Sequence, residues 1–167
     1  VVGASFSKPE IALRVTAYYE SRVDITHPMS ATGAVAGLNL LAGAGTFANT
    51  TSALPQSMTI DFQTGIAANT LLYGSVKRAL WSGAHIYMYD GLNQAMVKKT
   101  THTNSTTLNL GLGRKLTDEW AVSASVNYEK GTAAAGTSLL STTNGQKGIT
   151  LGGKYTNGQM TVTGGVN

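Results

Sequence analysis

The chain has 167 residues, enough for one domain, and its formal net charge of +4 comes from scattered lysines and arginines, which does not indicate a nucleic-acid partner. Cysteine is absent, which excludes disulfides, thiolate metal sites and cysteine nucleophiles, and charged residues, at 12%, are about half as frequent as in soluble domains. No run of about 18 apolar residues is present, so a transmembrane helix is excluded.

The first long segment, residues 11–26, alternates with a period of two, which predicts a β-strand. One face is almost wholly apolar, and the other carries the charged residues Arg14, Glu20, Arg22 and Asp24. Soluble strands usually have about 5–6 residues, whereas a longer strand with one apolar face is typical of a tilted membrane-spanning strand.

The same alternation returns in most of the later segments. It is less regular in residues 72–82, where Arg78 shares a face with Leu72, Val76 and Leu80, so we expect a bulge or a change of phase there. The regular segments are residues 58–66, 108–112, 120–129, 149–156 and 160–167.

The predicted connections alternate between short and long. Short links fall at residues 7–10, 67–70, 116–119 and 156–159, and long ones at about 29–54, 83–105 and 131–146. Asn157-Gly158 is predicted to form a two-residue hairpin turn, because both residues tolerate positive φ. Tight periplasmic turns and longer outside loops are typical of bacterial outer-membrane barrels. The sequence therefore predicts that residues 1–167 form part of an all-β, antiparallel transmembrane β-barrel, with seven or eight strands present.

Aromatic residues cluster near both ends of the predicted strands. Such belts are expected at the two headgroup layers of a membrane barrel. The belt near the short turns comprises Phe6, Tyr73, Trp120 and Tyr155, and the belt near the long loops comprises Tyr19, Trp81 and Tyr128.

The three histidines, His27, His85 and His102, fall in or beside the long loops and lack metal-ligand spacing, so we expect solvated side chains and neither metal nor cofactor. Asp24 and His27 at a loop rim leave open an outer-membrane enzyme, although no nucleophile is placed beside them. We expect no enzymatic activity.

The stretch Leu54-Pro55-Gln56-Ser57-Met58-Thr59-Ile60-Asp61-Phe62-Gln63, continuing to Val76, is similar to a strand pair of the FadL-type outer-membrane transporters of long-chain fatty acids and other hydrophobic compounds. Residues 8–15, leading to Tyr19 and Ser21, resemble the preceding strand of that family, and residues 120–128 and 147–155 also fit. The family barrel has fourteen strands and an N-terminal plug. The resemblance covers nearly the whole chain and implies roughly the second half of such a barrel, beginning inside a larger protein. Family members often carry an aromatic residue where Arg78 stands.

This resemblance implies a monomeric, passive channel for long-chain fatty acids or other hydrophobic compounds, in contact with outer-membrane lipid and lipopolysaccharide. The loop over residues 33–47 is unusually apolar, which is typical of a binding surface. We expect Leu38, Leu40, Leu41 and Phe47 to capture the substrate; packing on the barrel mouth as a lid is an equal alternative.

Arg14, Arg22 and Lys77 are predicted to face the lumen, where a cation can pair with a substrate carboxylate. The alternative is an ion-pair ladder between neighbouring strands, in which Arg14, Glu20, Arg22 and Asp24 are structural. A structural or adhesive barrel whose loops bind surfaces is the alternative function.

Overall fold

The computed structural model describes residues 1–28, 49–90, 95–130 and 145–167, with Tyr89 and Asp90 described through their backbone alone. Within these residues the chain forms twelve β-strands and two short 3₁₀ turns, Pro9–Ile11 and Trp81–Gly83. The described residues include no helix long and apolar enough to cross a membrane. The strands are β1 (Val2–Lys8), β2 (Leu13–Glu20), β3 (Val23–His27), β4 (Thr50–Leu54), β5 (Ser57–Ala67), β6 (Thr70–Ala79), β7 (Tyr87–Asp90), β8 (Ala95–Lys98), β9 (Ser105–Lys115), β10 (Trp120–Lys130), β11 (Gly145–Asn157) and β12 (Met160–Val166).

These strands form two antiparallel sheets, which confirms the predicted all-β, antiparallel class. The larger sheet has eight strands in the order β1-β2-β5-β6-β9-β10-β11-β12, with β1 and β12 as its edges. The smaller sheet has the order β3-β4-β7-β8. Its strands β4, β7 and β8 lie within two of the stretches predicted to be long connections. The eight strands of the larger sheet match the upper limit of the predicted count.

The single strand predicted over residues 11–26 is divided between the two sheets. Glu20 of β2 pairs with Ser57 of β5, and the next paired position is Val23 with Leu54, which belongs to the smaller sheet. Pro55 lies in the gap, and a proline has no N–H to donate to a ladder. The alternation of the sequence continues across this gap, which is why the pattern did not reveal the break.

The register of the larger sheet places apolar side chains on one side, here called the apolar face. Val126 of β10, for example, pairs with Leu110 on one side and Ile149 on the other, and this residue is 51% exposed. Among the described residues only Ala79 and Ala84 are buried hydrophobic residues. The larger sheet therefore does not bury its apolar face in a core. Members of this face include Val2, Phe6, Val15, Tyr19, Met58, Ile60, Phe62, Val76, Leu108, Leu110, Leu112, Trp120, Val122, Tyr128, Leu151, Tyr155, Val162 and Val166.

The opposite side of the larger sheet, here called the polar face, carries hydroxyls, amides and charges. Because successive side chains of a strand point to opposite sides, one row of this face runs from Tyr18 through Thr59, Lys77 and Thr107 to Glu129. All three carboxylates of the eight strands, Glu20, Asp61 and Glu129, lie on the polar face.

Arg78 lies on the apolar face, paired with Met58 and Thr106, and its Nη1 donates to Thr106 Oγ1 at 2.6 Å. Strand β6 runs from Thr70 to Ala79 without a change of phase, so the bulge predicted for residues 72–82 is wrong. The register shift between β5 and β6 lies instead between Gly65 and Ala67, beside the short turn.

Two cross-strand contacts depend on glycine. A Cβ built on Gly74 would lie 2.6 Å from the carbonyl oxygen of Asn109 and 2.9 Å from the Phe62 ring. On the polar face, the Tyr73 ring lies directly over Gly111. Tyr73 is therefore not part of an aromatic belt on the apolar face, contrary to the prediction.

Of the other aromatic residues predicted to form the two belts, all but one lie on the apolar face. Phe6, Trp120 and Tyr155 lie on the apolar face near the short turns, with the Trp120 and Tyr155 rings 4.8 Å apart. Tyr19 and Tyr128 lie on that face near the long connections. Trp81 belongs to a 3₁₀ turn outside the sheet, so its place in the belt is wrong.

The short turns lie where the sequence predicted them, with one change of detail. Asn157 pairs with Met160, so it is the last residue of β11 and not a turn residue. Gly158 takes the positive φ of this turn, at 46°.

Candidate functional site

A pocket of about 710 Å³ opens on the polar face, at the end of the larger sheet that leads to the long connections. We call it the upper pocket. Its apolar wall comes mainly from the junction between the two sheets, where strands β3 and β4 and the second 3₁₀ turn come together. The apolar lining includes Val23, Leu54, Pro55, Ala79 and Trp81, and the polar lining includes Glu20, Ser57, Lys77, Ser105, Thr107 and Glu129.

Glu20 connects three strands at the edge of the upper pocket. Ser57 Oγ donates to Glu20 Oε2 at 2.6 Å, and Lys77 Nζ donates to the same oxygen at 3.1 Å. The side chains of Lys77 and Glu20 are 45% and 38% exposed, and such half-exposed ion pairs contribute little to stability. An ammonium has three protons, so Lys77 can donate to a ligand while it holds Glu20.

A second carboxylate, that of Glu129, also lines the upper pocket. Glu129 Oε2 accepts a hydrogen bond from Thr107 Oγ1 at 2.9 Å. The charged side chains of the described lining are therefore two carboxylates and one ammonium, beside an apolar wall. This arrangement suits an amphipathic molecule whose long apolar part contacts the wall and whose polar head contacts Lys77 or Glu20.

Arg14, a predicted site residue, lies on the polar face but outside the upper pocket. It pairs with Ser7 and Gln63, four residues along β2 from the row that contains Lys77, which is about 14 Å at the usual rise of a strand. It forms no ion pair with any described residue. The structure thus separates Arg14 from Lys77.

Arg22, also predicted to face the lumen, lies in the gap between β2 and β3. Its Nη2 is 2.6 Å from Asp24 Oδ1, and its Nη1 donates to the carbonyl oxygen of Gly83 at 2.5 Å. It lines a separate cleft of about 180 Å³ that includes Leu80. Arg22 thus lies outside the larger sheet, because the chain leaves that sheet after Glu20, and its role toward a substrate stays a prediction.

The ion-pair ladder predicted as the alternative is formed only in part. Glu20 and Lys77 join two strands of the larger sheet, whereas Arg22 and Asp24 form a local pair. Leu38, Leu40, Leu41 and Phe47, the predicted capture residues, lie outside the described residues.

The solvated positions predicted for two of the histidines are wrong. His85 and His102 are 8% and 7% exposed, and their rings lie 6.2 Å apart and nearly parallel. Trp81 contacts His102 edge-on at 5.7 Å. Burial lowers the pKa of His102, and the nearby His85 and Lys98 lower it further. Because His85 and His102 lie far apart in the sequence, no sequence pattern predicts that their rings pack together.

The enzyme alternative rested on Asp24 and His27. His27 Nε2 lies 3.0 Å from Ser52 Oγ on the neighbouring strand, while Asp24 is held by Arg22. A serine nucleophile needs a base that a third group orients, and no such group contacts His27 within the described ranges. Those ranges also contain no group of three or more residues placed to hold a metal ion.

A second hollow of about 550 Å³ lies at the short-turn end of the polar face. Gly65, Gly113 and Gly152 fall in one row across the strands there, alternating with Leu71 and Ser123, so three of the five positions in this row carry no side chain. Lys115 at its rim is paired with Asp118 at 2.7 Å. No pattern in the sequence indicates this hollow, because the glycines come together only through the register of the strands.

No protein-family model and no curated protein sequence matches this chain. Among solved structures it is similar to the crystal structure of a Pseudomonas aeruginosa FadL homologue, with a TM-score of 0.69 and 18% sequence identity. The match covers 95% of this chain and 40% of that one, so the chain spans well under half the length of its structural neighbour. The fold of this chain is therefore that of part of a FadL-like β-barrel wall.

Proposed function

We propose that this chain forms part of an outer-membrane channel for the passive uptake of hydrophobic compounds. One observation carries the proposal: eight adjacent strands expose a continuous apolar face, while all their carboxylates lie on the other face. Water would penalise so large an apolar surface, whereas hydrocarbon favours it. The polar face would then line the interior of a barrel.

The proposed membrane position also gives the upper pocket an orientation. In outer-membrane barrels the short turns face the periplasm and the long connections face outward. The upper pocket lies at the end with the long connections, and would therefore receive a ligand from the outside. We propose that Leu38, Leu40, Leu41 and Phe47 contribute to substrate capture, which replacement of Leu40 and Leu41 by aspartate would test; unchanged uptake would remove this role.

Long-chain fatty acids are the substrate class that we propose for the upper pocket. Lys77 offers a cation to the carboxylate, and Val23, Leu54 and Trp81 offer apolar contact to the chain. Glu20 and Glu129 oppose a negative head, so recognition of a carboxylate depends on Lys77. Neutral hydrophobic compounds would depend on the apolar wall alone.

A pair of matched ligands tests this dependence. Binding of a long-chain fatty acid and of the alcohol with the same chain would be measured with the full-length protein in detergent. Lys77→Met should weaken fatty-acid binding by about fivefold to tenfold, the loss of one charge-assisted contact, and leave alcohol binding unchanged.

Arg14→Met is the matched control, since it removes a cation from the polar face outside the upper pocket. It should leave both affinities unchanged. Equal binding of fatty acid by the Lys77→Met variant and the wild type would contradict a role for Lys77, and failure of the wild type to bind either ligand would contradict hydrophobic transport.

A further inference from the structure

The charges on the apolar face are all positive. Across the eight described strands of the larger sheet, this face carries Lys8, Arg78, Arg114, Lys130 and Lys147 and no carboxylate. A charge exposed to hydrocarbon is costly. Near the ends of strands, however, long basic side chains reach the headgroup layer. These cations are therefore placed where the headgroups of a bilayer would lie.

Three of these cations lie together at the end of the sheet near the long connections. Arg78 of β6 pairs with Thr106 of β9. Lys130 is the last residue of β10, next to Glu129, and Glu129 pairs with Thr107 of β9. Lys147 of β11 pairs with Tyr128 of β10. From β6 to β11 there are three strand spacings, so the cluster spans about 14 Å across the sheet.

The surroundings of the cluster are polar and aromatic rather than acidic. Arg78 donates to Thr106 Oγ1 at 2.6 Å, and Lys147 Nζ lies 5.8 Å from the centre of the Tyr128 ring. Each contact orients a cation without neutralising it. The carboxylates Glu20 and Glu129 at this end belong to the polar face. None of the three cations takes part in the ion pairs seen among the described residues, so the cluster presents positive charge at this end of the apolar face, beside an aromatic ring.

We propose that Arg78, Lys130 and Lys147 form a binding site for the phosphate groups of a phosphorylated glycolipid of the outer leaflet, that is, of lipopolysaccharide. The proposal rests on the membrane position given under the proposed function. Arginine and lysine bind phosphate through charge-assisted hydrogen bonds. A headgroup with two phosphates can place a separate anionic group at each of two cations along the cluster, whereas a phospholipid with one phosphate offers a single anionic group. The apolar face below the cluster would contact the acyl chains.

Binding of diphosphoryl lipid A to the full-length protein in detergent, measured by native mass spectrometry, tests this site. The variant with Arg78→Gln, Lys130→Gln and Lys147→Gln should bind lipid A at least about tenfold more weakly than the wild type. The matched control, Lys8→Gln with Arg114→Gln, removes the cations at the short-turn end and should bind as the wild type does. Dephosphorylated lipid A should bind all three proteins equally and weakly.

Wild-type affinity for lipid A in the triple variant would overturn the proposal, and so would an equal loss in the control variant. If the triple variant does not fold, the single variants Lys130→Gln and Lys147→Gln replace it, and each should weaken binding of lipid A but not of its dephosphorylated form. Fatty-acid binding, measured in parallel, distinguishes failure of the transport proposal from failure of the glycolipid-site proposal. Its absence in the wild type would contradict the transport function and leave the glycolipid site standing, while its retention in the triple variant would show that the protein is folded.

Discussion

The larger and the smaller sheet differ in what holds them together. Strands of the larger sheet run 7–13 residues and pair with their neighbours along most of their length. Strands of the smaller sheet have four or five residues, and β4 pairs with β7 at a single position, Thr51 with Tyr87. Side chains outside these short ladders also contact the smaller sheet: Arg22 pairs with Asp24 of β3, and the His85 ring lies edge-on to Tyr87 of β7. Long ladders with one apolar face are therefore visible in the sequence, whereas short ladders with scattered side-chain contacts are not.

The largest expected effect comes from a charge at the centre of the apolar face. In the membrane position proposed above, Val126→Arg should lower the free energy of unfolding in lipid vesicles by about 2–4 kcal/mol, because the guanidinium would face hydrocarbon. The neighbouring change Ser125→Arg places the same charge on the polar face and should have a much smaller effect. Equal losses in urea unfolding would contradict the assignment of the two faces.

A smaller effect is expected from Gly74→Ala within the larger sheet. The new methyl group would meet the carbonyl oxygen of Asn109 and the Phe62 ring, at a cost of about 1–3 kcal/mol. Gly153 lies on the same face with nothing within 4 Å of a built Cβ. Gly153→Ala should therefore be neutral or slightly stabilising. Similar stabilities for the two variants would show that the close approach at Gly74 is not rigid.

The smallest effect is a pH dependence in the smaller sheet and its junction. Burial lowers the pKa of His102 in the folded protein, so below about pH 6.5 the unfolded chain binds more protons than the folded one. The free energy of unfolding is therefore highest above that pH and decreases as the pH falls. His102→Phe should reduce the loss between pH 7 and pH 5, while His27→Phe, at an exposed position, should not. Thermal unfolding at the two pH values measures the difference, and an unchanged loss in His102→Phe would exclude this histidine as its source.

Much of the larger sheet could be predicted from the sequence because a strand has a period of two. Residues 120–129 alternate between apolar and polar without interruption, and β10 covers almost the same range, Trp120–Lys130. The break at Pro55 was missed, since Val23 and Ile25 continue the pattern of β2 into a different sheet. Lys77 could be named as a candidate, but its partner Glu20 lies 57 residues away, and only the register of three strands brings them together. The packing of His85 on His102 also depends on tertiary structure alone.

The gap in pairing around Pro55 separates two ladders that share a continuous chain. Since no paired position joins Glu20–Ser57 to Val23–Leu54, opening one ladder does not require opening the other. Local unfolding follows such boundaries. Amide hydrogens of β3 and β4 would then exchange with deuterated solvent while those of β5 stay protected. The smaller sheet would loosen and reform beside a larger sheet that remains intact.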